Sequence, residues 1–252
     1  MEKVIEVMKR AVLKAAKSIE DSKQEMLWRQ KESKEYVTNC DIASENAIIE
    51  VLKEEYPDSS IYSEEVGTIT GKEEMLWVID PIDGTHNFIH NLPFYAISIG
   101  LYRSGKPYAG LIYAPEFEAC FSALKGSGAF LNDRRITVSN IEKLSRSMVA
   151  YDNQFHKHPF MLPNLAVLQE KCFTVRIFGS AAIDLCNISR GFIDARIFHK
   201  TKIFDFAAGV TIVTEAGGKV TNFRGQEINI NTTDIIASNG KIHEELVKAL
   251  KI

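Results

Sequence analysis

The sequence contains few cysteines, and no two of them are closely spaced. Four occur among 252 residues, and none forms a Cys-x-x-Cys pair. Zinc knuckles and disulfide frameworks depend on such pairs or clusters, so the pattern argues against both. Buried free thiols are therefore expected at the four positions, Cys40, Cys120, Cys172 and Cys186.

The sequence also lacks an excess of positive charge and any long apolar run. Lysine and arginine number 30 against 33 acidic residues, which gives a net charge of −3. Generic binding to DNA or RNA is not expected, because no excess charge is available to neutralise a phosphate backbone. Residues 1–22 lack the continuous apolar core of a signal peptide, and no stretch approaches a membrane span. We therefore expect a cytoplasmic protein with neither a nucleic-acid nor a membrane partner.

The composition, 45% hydrophobic and 25% charged, is that of an ordinary globular protein with ample core. We predict a single catalytic unit over residues 1–252, in which the polar stretch 139–147 separates a subdomain 1–143 from a subdomain 144–252. Helical spacing of apolar residues predicts helices at 4–19 and 42–52, and β patterns predict an antiparallel meander from 96 onwards. After residue 144, strands and helices alternate, which indicates an α/β layered half and a mixed α/β fold class.

The most informative stretch is a buried strand, 76–79, that leads into Asp80-Pro81-Ile82-Asp83-Gly84-Thr85. The Asp-Pro step predicts that the strand stops there. Asp80 and Asp83 can converge on one point across this turn, where their mutual repulsion would favour a bound divalent cation. Gly84 and Thr85 offer small side chains and exposed amides, which suit an anion such as phosphate. An ordinary structural turn is the alternative.

Other acidic residues can join this turn. Glu64 ends a short strand, 61–63, and a hairpin-sized segment then returns the chain to strand 76–79, which could bring Glu64 beside Asp80. Asp205 opens an apolar helix, where a helix N-cap role would be sufficient explanation. Together the four acids form a candidate oxygen-only ligand set, which suits Mg²⁺ or Mn²⁺. A second cradle of backbone amides is predicted at the strand-to-helix junction formed by Gly179, Ser180 and Ala181.

These residues carry a family resemblance. The stretch 80–85 resembles the first signature of the inositol monophosphatase family, within the fructose-1,6-bisphosphatase-like, lithium-sensitive phosphatases. Matches in the same order extend over nearly the whole chain and make the signal specific. They are Val37 to Asp41, Ser63-Glu64-Glu65, residues 80–85, Gly179 to Ala182, and Asp205 to Gly218. The resemblance implies a five-layer α-β-α-β-α sandwich, a homodimer, and hydrolysis of phosphate monoesters with two or three Mg²⁺ ions, Mn²⁺ being possible.

The resemblance also implies roles for individual residues. One metal would be held by Glu64, Asp80 and the Ile82 carbonyl, and a second by Asp80, Asp83 and Asp205. Thr85, hydrogen-bonded to Asp41, would orient the attacking water. The implied catalytic residues are therefore Glu64, Thr85 and Asp41. Phosphate and sugar would contact Asp83, the amides of Gly84 and Thr85, and the Gly179-Ser180-Ala181 junction. The polar stretch Lys31–Lys34 would be a mobile loop that supports a further, weaker metal.

Two departures from the family pattern concern the substrate. Phe198 stands where the animal enzymes carry a glutamate that contacts inositol hydroxyls, and Phe204 replaces the tryptophan before the last metal ligand. Arg176 and Arg196 instead resemble residues of the dual-activity enzymes that also cleave fructose 1,6-bisphosphate, although a structural ion pair would equally explain each arginine. We therefore expect a phosphatase for inositol 1-phosphate and fructose 1,6-bisphosphate. A nucleotide phosphatase acting on 3′-phosphoadenosine 5′-phosphate or NADP, or a non-catalytic regulator, are the alternatives.

Overall fold

A computed structural model describes residues 3–31, 35–72 and 74–250 of the chain. Its helices and strands stack in the order helix pair, eight-stranded sheet, helix pair, five-stranded sheet, helix pair. This arrangement confirms the predicted mixed α/β class and the α-β-α-β-α sandwich. In the described part of the chain, no helix is both long and apolar enough to cross a membrane.

The first layer contains helices α1 (Lys3–Lys23) and α2 (Asn39–Glu55), which pack on each other and on one face of the large sheet. The apolar stripe of α1 is buried, as its spacing predicts. Between the helices, an antiparallel pair of short strands, β1 (Trp28–Gln30) and β2 (Tyr36–Thr38), flanks the predicted loop Lys31–Lys34. Residues 32–34 of that predicted mobile loop lie outside the described residues.

The eight-stranded sheet has the order β10-β9-β8-β7-β6-β5-β3-β4. Its antiparallel meander from β6 to β10 is confirmed. The pairing of β3 with β5 is parallel, and β4 pairs with β3 on the opposite side. The strands are β3 (Ser60–Ser63), β4 (Gly67–Ile69), β5 (Met75–Asp83), β6 (Ala96–Arg103), β7 (Lys106–Ala114), β8 (Ala119–Leu124), β9 (Gly128–Leu131) and β10 (Arg134–Ile136).

Strand β5 corrects the expectation that the chain breaks at Asp80-Pro81. The strand continues to Asp83, and its register with β6 shifts between Asp80 and Asp83. Pro81 has no N–H to donate to the ladder, so it is accommodated in this irregular region instead of ending the strand. Gly84 then turns with φ +87°, and the short helix α3 (Thr85–Ile89) follows.

The five-stranded sheet has the order β12-β11-β13-β15-β14 and mixes parallel with antiparallel pairs. Helices α5 (Ala181–Ser189) and α6 (Ile203–Glu215) lie between the two sheets, while α4 (Met161–Lys171) and α7 (His243–Ala249) cover the outer face. The alternation predicted for this half is confirmed. Its strands are β11 (Met148–Ala150), β12 (Thr174–Arg176), β13 (Ala195–Phe198), β14 (Lys219–Asn222) and β15 (Ile235–Ser238).

Helix α6 is apolar on all sides because it is buried between the two sheets. It lies so close to the large sheet that a Cβ atom at Gly110 would be 2.2 Å from the carbonyl oxygen of Ala208. Such an approach is possible only where the strand has no side chain. This packing brings the first turn of α6, with Asp205, to the edge of the sheet where β5 ends.

Candidate active site

The carboxyl ends of β3 and β5 lie side by side because the two strands run parallel. Ser63 is opposite Ile79 in the register, so Glu64 and Asp80 follow at the same edge. Glu64 and Asp80 thus reach the same edge, as predicted. The path of the chain between them, however, is not the simple hairpin-sized return that the sequence suggests. The chain first adds β4 on the far side of β3 and then crosses back to form β5.

Three carboxylates meet at this edge. Asp80, Asp83 and Asp205 each offer an oxygen, and these oxygens lie within 4.8 Å of one another. Asp80 and Asp83 are buried, with 2% and 7% of their surfaces exposed. The Oδ1 atom of Asp80 is buried without a hydrogen-bond partner among the described residues. A buried acceptor of this kind is costly unless a cation or proton satisfies it.

Helix α5 directs its first turn at Asp83. The Ser180 hydroxyl and the amides of Ala181 (3.1 Å) and Ala182 (2.9 Å) all donate to the Asp83 carboxylate. The positive end of a helix stabilises an anion at this position. The sequence predicts that the amides of the Gly179-Ser180-Ala181 junction cradle an oxyanion. In this structure one of them, the Ala181 amide, instead binds the Asp83 carboxylate.

Asp205 is not the N-cap of α6, which corrects the local expectation. Lys202 is the N-cap, and Asp205 is the third helical residue. Its Oδ2 atom accepts hydrogen bonds from the Lys202 amide (2.8 Å) and the Thr201 hydroxyl (2.6 Å). A carboxylate at this position satisfies an otherwise free amide at the helix start and is held in a defined orientation. It is thus fixed facing Asp80 and Asp83.

Asp41 and Thr85 also come together. Asp41 closes a capping box at the start of α2, and its Oδ2 atom accepts from the amide and hydroxyl of Thr38. Its Oδ1 atom is 3.4 Å from the Thr85 hydroxyl, which also lies 3.0 Å from the carbonyl oxygen of Ile82. The predicted contact between Asp41 and Thr85 is thus present, and the Ile82 carbonyl belongs to the same group.

The site concentrates negative charge. Burial raises the pKa of Glu64 to about 8 and that of Asp83 to about 6, and it also raises the pKa values of Asp80 and Asp205. Repulsion between the carboxylates adds to these increases. The ammonium of Lys31, 3.3 Å from Glu64, opposes the increase there. The cluster therefore favours a proton or an added cation, and its hard oxygen donors fit a divalent ion such as Mg²⁺.

A cavity of about 370 Å³ opens over the carboxylates. Arg196 lies in its wall, where its guanidinium is 3.1 Å from the Asp184 carboxylate, 3.8 Å from that of Asp152, and 4.9 Å from the centre of the Phe198 ring. An ion pair, the alternative that the sequence left open, is therefore present at Arg196. Phe204 also lines the cavity.

Arg176 has a different environment. Its side chain is exposed and donates to the Thr174 hydroxyl and the Val175 carbonyl (3.0 Å). It is not among the described residues that line the cavity. Arg176 and Arg196 lie on the two strands that flank β11, both in register with Ala150, but of the two only Arg196 is among the described residues that line the cavity.

Sequence reasoning missed two acidic residues near the site. Glu45 and Asp184 are buried acids in α2 and α5. Asp184 is the only charged residue of its helix, AAIDLCNIS, and this isolation was a usable signal. Lys31, the first residue of the predicted loop, pairs with Glu64 and Glu65.

The sequence model of the inositol monophosphatase family matches residues 1–252. The chain belongs to the inositol monophosphatase family. Members are generally metal-dependent, and the cluster of Asp80, Asp83 and Asp205 provides a group that can bind a metal. The resemblance read from the ordered motifs is thereby confirmed.

The relatives of this family member carry two kinds of name. It is 36% identical over 223 residues to the fructose-1,6-bisphosphatase/inositol-1-monophosphatase of Thermotoga maritima, covering 86% of this chain and 83% of that protein. It is 37% identical over 225 residues to the Nus factor SuhB of Pasteurella multocida, covering 88% and 84%. A solved structure of a Thermotoga maritima IMPase has a TM-score of 0.90, 32% identity, and coverage of 98% and 96%.

Proposed function

We propose that this inositol monophosphatase family member hydrolyses sugar phosphate monoesters in a Mg²⁺-dependent reaction. The observation that carries the proposal is the convergence of Asp80, Asp83 and Asp205 within 4.8 Å, beneath a cavity of about 370 Å³. The name of the Thermotoga maritima relative supports inositol 1-phosphate and fructose 1,6-bisphosphate as substrates.

In this proposal, Glu64, Asp80 and the Ile82 carbonyl hold one ion, and Asp80, Asp83 and Asp205 hold another. Bound divalent ions would supply Lewis-acid activation of water and neutralisation of charge on the leaving oxygen. The protein fixes the ligands in advance, because Asp83 and Asp205 are each oriented by amide and hydroxyl donors.

The remaining residues bind and orient the reactants. The amides of Gly84 and Thr85 bind phosphoryl oxygens at the start of α3. The Thr85 hydroxyl directs its hydrogen to Asp41 or to the Ile82 carbonyl, which leaves its lone pairs free to accept a hydrogen bond from the attacking water. Positioning and electrostatic stabilisation of this kind supply most of the catalysis in phosphoryl transfer.

The substrate body occupies the part of the cavity lined by Arg196, Phe198 and Phe204. Arg196 is the candidate for contact with a second phosphate, and its guanidinium would then be shared between that phosphate and the Asp184 carboxylate. Arg176, next in the chain to the cavity residue Ile177, is a second candidate for such a contact. We also propose a cytoplasmic homodimer, for which sedimentation of the purified protein is the test.

The experiment is phosphate release from inositol 1-phosphate, fructose 1,6-bisphosphate, 3′-phosphoadenosine 5′-phosphate and NADP, each with Mg²⁺ and with a chelator. We expect turnover of the two sugar phosphates that is lost on chelation. Preferential turnover of either nucleotide would favour the nucleotide phosphatase alternative. Turnover that persists in chelator would refute the metal-dependent mechanism.

A second candidate is a Nus-factor function, which the name of the Pasteurella multocida relative favours. Complementation of cells that lack the Nus factor SuhB, with the wild-type chain and with Asp83→Asn, separates the two possibilities. Rescue by both proteins would assign a function that does not need the carboxylate cluster. Rescue by wild type alone would tie the function to the cluster.

A further inference from the structure

One turn of helix α2 faces the ends of both strands that lead into the candidate metal site. Asp41, Ser44 and Glu45 lie three and four residues apart, so their side chains share one face of the helix. All three are buried, with 1%, 0% and 0% of their surfaces exposed. Buried polar side chains on a helix are normally held by specific partners, and these partners identify what the turn does.

Glu45 holds the turn that follows β3. Its Oε1 atom accepts hydrogen bonds from the Ser63 hydroxyl and from the amides of Glu65 (3.1 Å) and Val66 (3.2 Å). These donors lie on both sides of Glu64 in the chain. Glu45 therefore fixes the backbone that carries the Glu64 carboxylate, without contacting that carboxylate itself.

Ser44 holds the irregular end of β5. Its hydroxyl donates to the carbonyl oxygen of Pro81 at 2.8 Å. Pro81 lies between Asp80 and Ile82, in the region where the register of β5 with β6 shifts. The hydrogen bond thus stabilises a segment that the regular ladder does not.

We propose that Ser44 and Glu45 are positioning residues that set the separation between Glu64 and the Asp80–Asp83 segment, and thereby the affinity for the metal ion that these ligands share. The inference rests on the proposed function, since it takes Glu64 and Asp80 as ligands of one ion. Both strand ends are tied to the same rigid helical turn, so they cannot move apart independently. Metal affinity depends strongly on such supporting contacts, because ligands must be held in place before the ion arrives.

The chain offers informative substitutions. Glu45→Gln keeps an acceptor oxygen for the three donors, and its amide replaces Oε2, which has no hydrogen-bond partner among the described residues. Glu45→Ala removes the acceptor and leaves those donors unsatisfied. Ser44→Ala releases only the Pro81 carbonyl. Glu50→Ala, at an exposed position of the same helix, is the matched control.

The test is titration of each full-length protein with Mn²⁺ alone, by calorimetry without substrate, followed by Mg²⁺ dependence of turnover. We expect Glu45→Ala to weaken Mn²⁺ binding at least about tenfold, Ser44→Ala to weaken it less, and Glu45→Gln and Glu50→Ala to stay within about threefold of wild type. At saturating Mg²⁺, the turnover number of Ser44→Ala should recover to within about threefold, because the ligands themselves are intact.

Thermal unfolding in chelator identifies variants that fail to fold, and Ser44→Ala then carries the test if Glu45→Ala is one of them. Wild-type Mn²⁺ affinity in both folded alanine variants would overturn the inference, as would equal weakening in Glu50→Ala. Absence of Mn²⁺ binding by the wild-type protein would instead refute the proposed function.

Discussion

Replacing Asp83 with asparagine should abolish catalysis and yet raise the stability of the metal-free protein, relative to wild type, as the pH becomes alkaline. The side chain is buried and accepts hydrogen bonds from Ser180 and from the first turn of α5. Asparagine keeps the shape and one acceptor oxygen but carries no charge. Two properties that usually decline together, turnover and stability, are therefore expected to separate.

The magnitude follows from the pKa of Asp83, which burial, with added repulsion from Asp205, raises from 3.8 to about 6. A carboxyl group with a raised pKa binds more protons in the folded than in the unfolded state, so stability falls as pH rises from about 4 through about 6. The ionised side chain costs the folded metal-free protein about 3 kcal/mol at pH 8, and less than about 1 kcal/mol at pH 4. Asparagine avoids this cost at every pH, while its NH2 group, placed against an amide of α5 or the Ser180 hydroxyl, adds a loss that does not depend on pH.

The assay is urea unfolding in chelator at pH 4 and pH 8, with Asp58→Asn, at an exposed position, as the control. Relative to wild type, Asp83→Asn should gain about 2 kcal/mol more at pH 8 than at pH 4, on top of the loss that does not depend on pH. Turnover with saturating Mg²⁺ should fall at least about 1,000-fold, the equivalent of about 4 kcal/mol. A loss of stability that is equal at both pH values, or retention of a tenth of the activity, would refute the reasoning.

Three further predictions concern buried residues, one in the cavity wall and two elsewhere in the fold. Gly110→Val should lower the free energy of unfolding by about 2 to 3 kcal/mol, because a Cβ there would collide with the Ala208 carbonyl; unchanged urea unfolding would contradict this packing. Arg196→Met should cost about 3 to 5 kcal/mol at pH 8 by leaving Asp184 buried and unpaired, and adding Asp184→Asn should restore most of the loss. Burial lowers the pKa of His243 to about 4, so stability is lost as pH falls from 6.5 towards 4. His243→Gln should reduce that loss by up to about 3 kcal/mol between pH 7 and pH 4, and an unchanged pH dependence would exclude this contribution.

The predicted helices and strands agree with the structure because their signals are local, whereas the order of the layers was implied by the family resemblance. The apolar stripe of α1 and the strands of the meander each depend on residues within one element. The predictions were wrong at two element boundaries, where tertiary packing outweighed the local preference of a residue. Pro81 predicts a strand end, but burial of β5 on both sides carries the strand through to Asp83. Asp205 reads as an N-cap, but the helix begins two residues earlier.

The arginines illustrate a second limit. Arg176 and Arg196 were grouped in the sequence by their shared resemblance to residues of the dual-activity enzymes. The five-stranded sheet places Arg176 on edge strand β12, where it is exposed, and Arg196 on β13, beside Asp184 of α5. Position within a sheet depends on the order of strands, which the periodicity of a single strand does not encode.

The sequence by itself determined which acids are available and that they stand at the ends of strands and helices, since turn residues and apolar periodicity act over a few positions. Only the tertiary structure decided that β3 runs parallel to β5, that α5 directs its amides to Asp83, and that one turn of α2 holds both strand ends. These contacts join residues far apart in the chain. They arise because buried donors and acceptors must find partners when the layers pack together, and no local pattern specifies which partners those are.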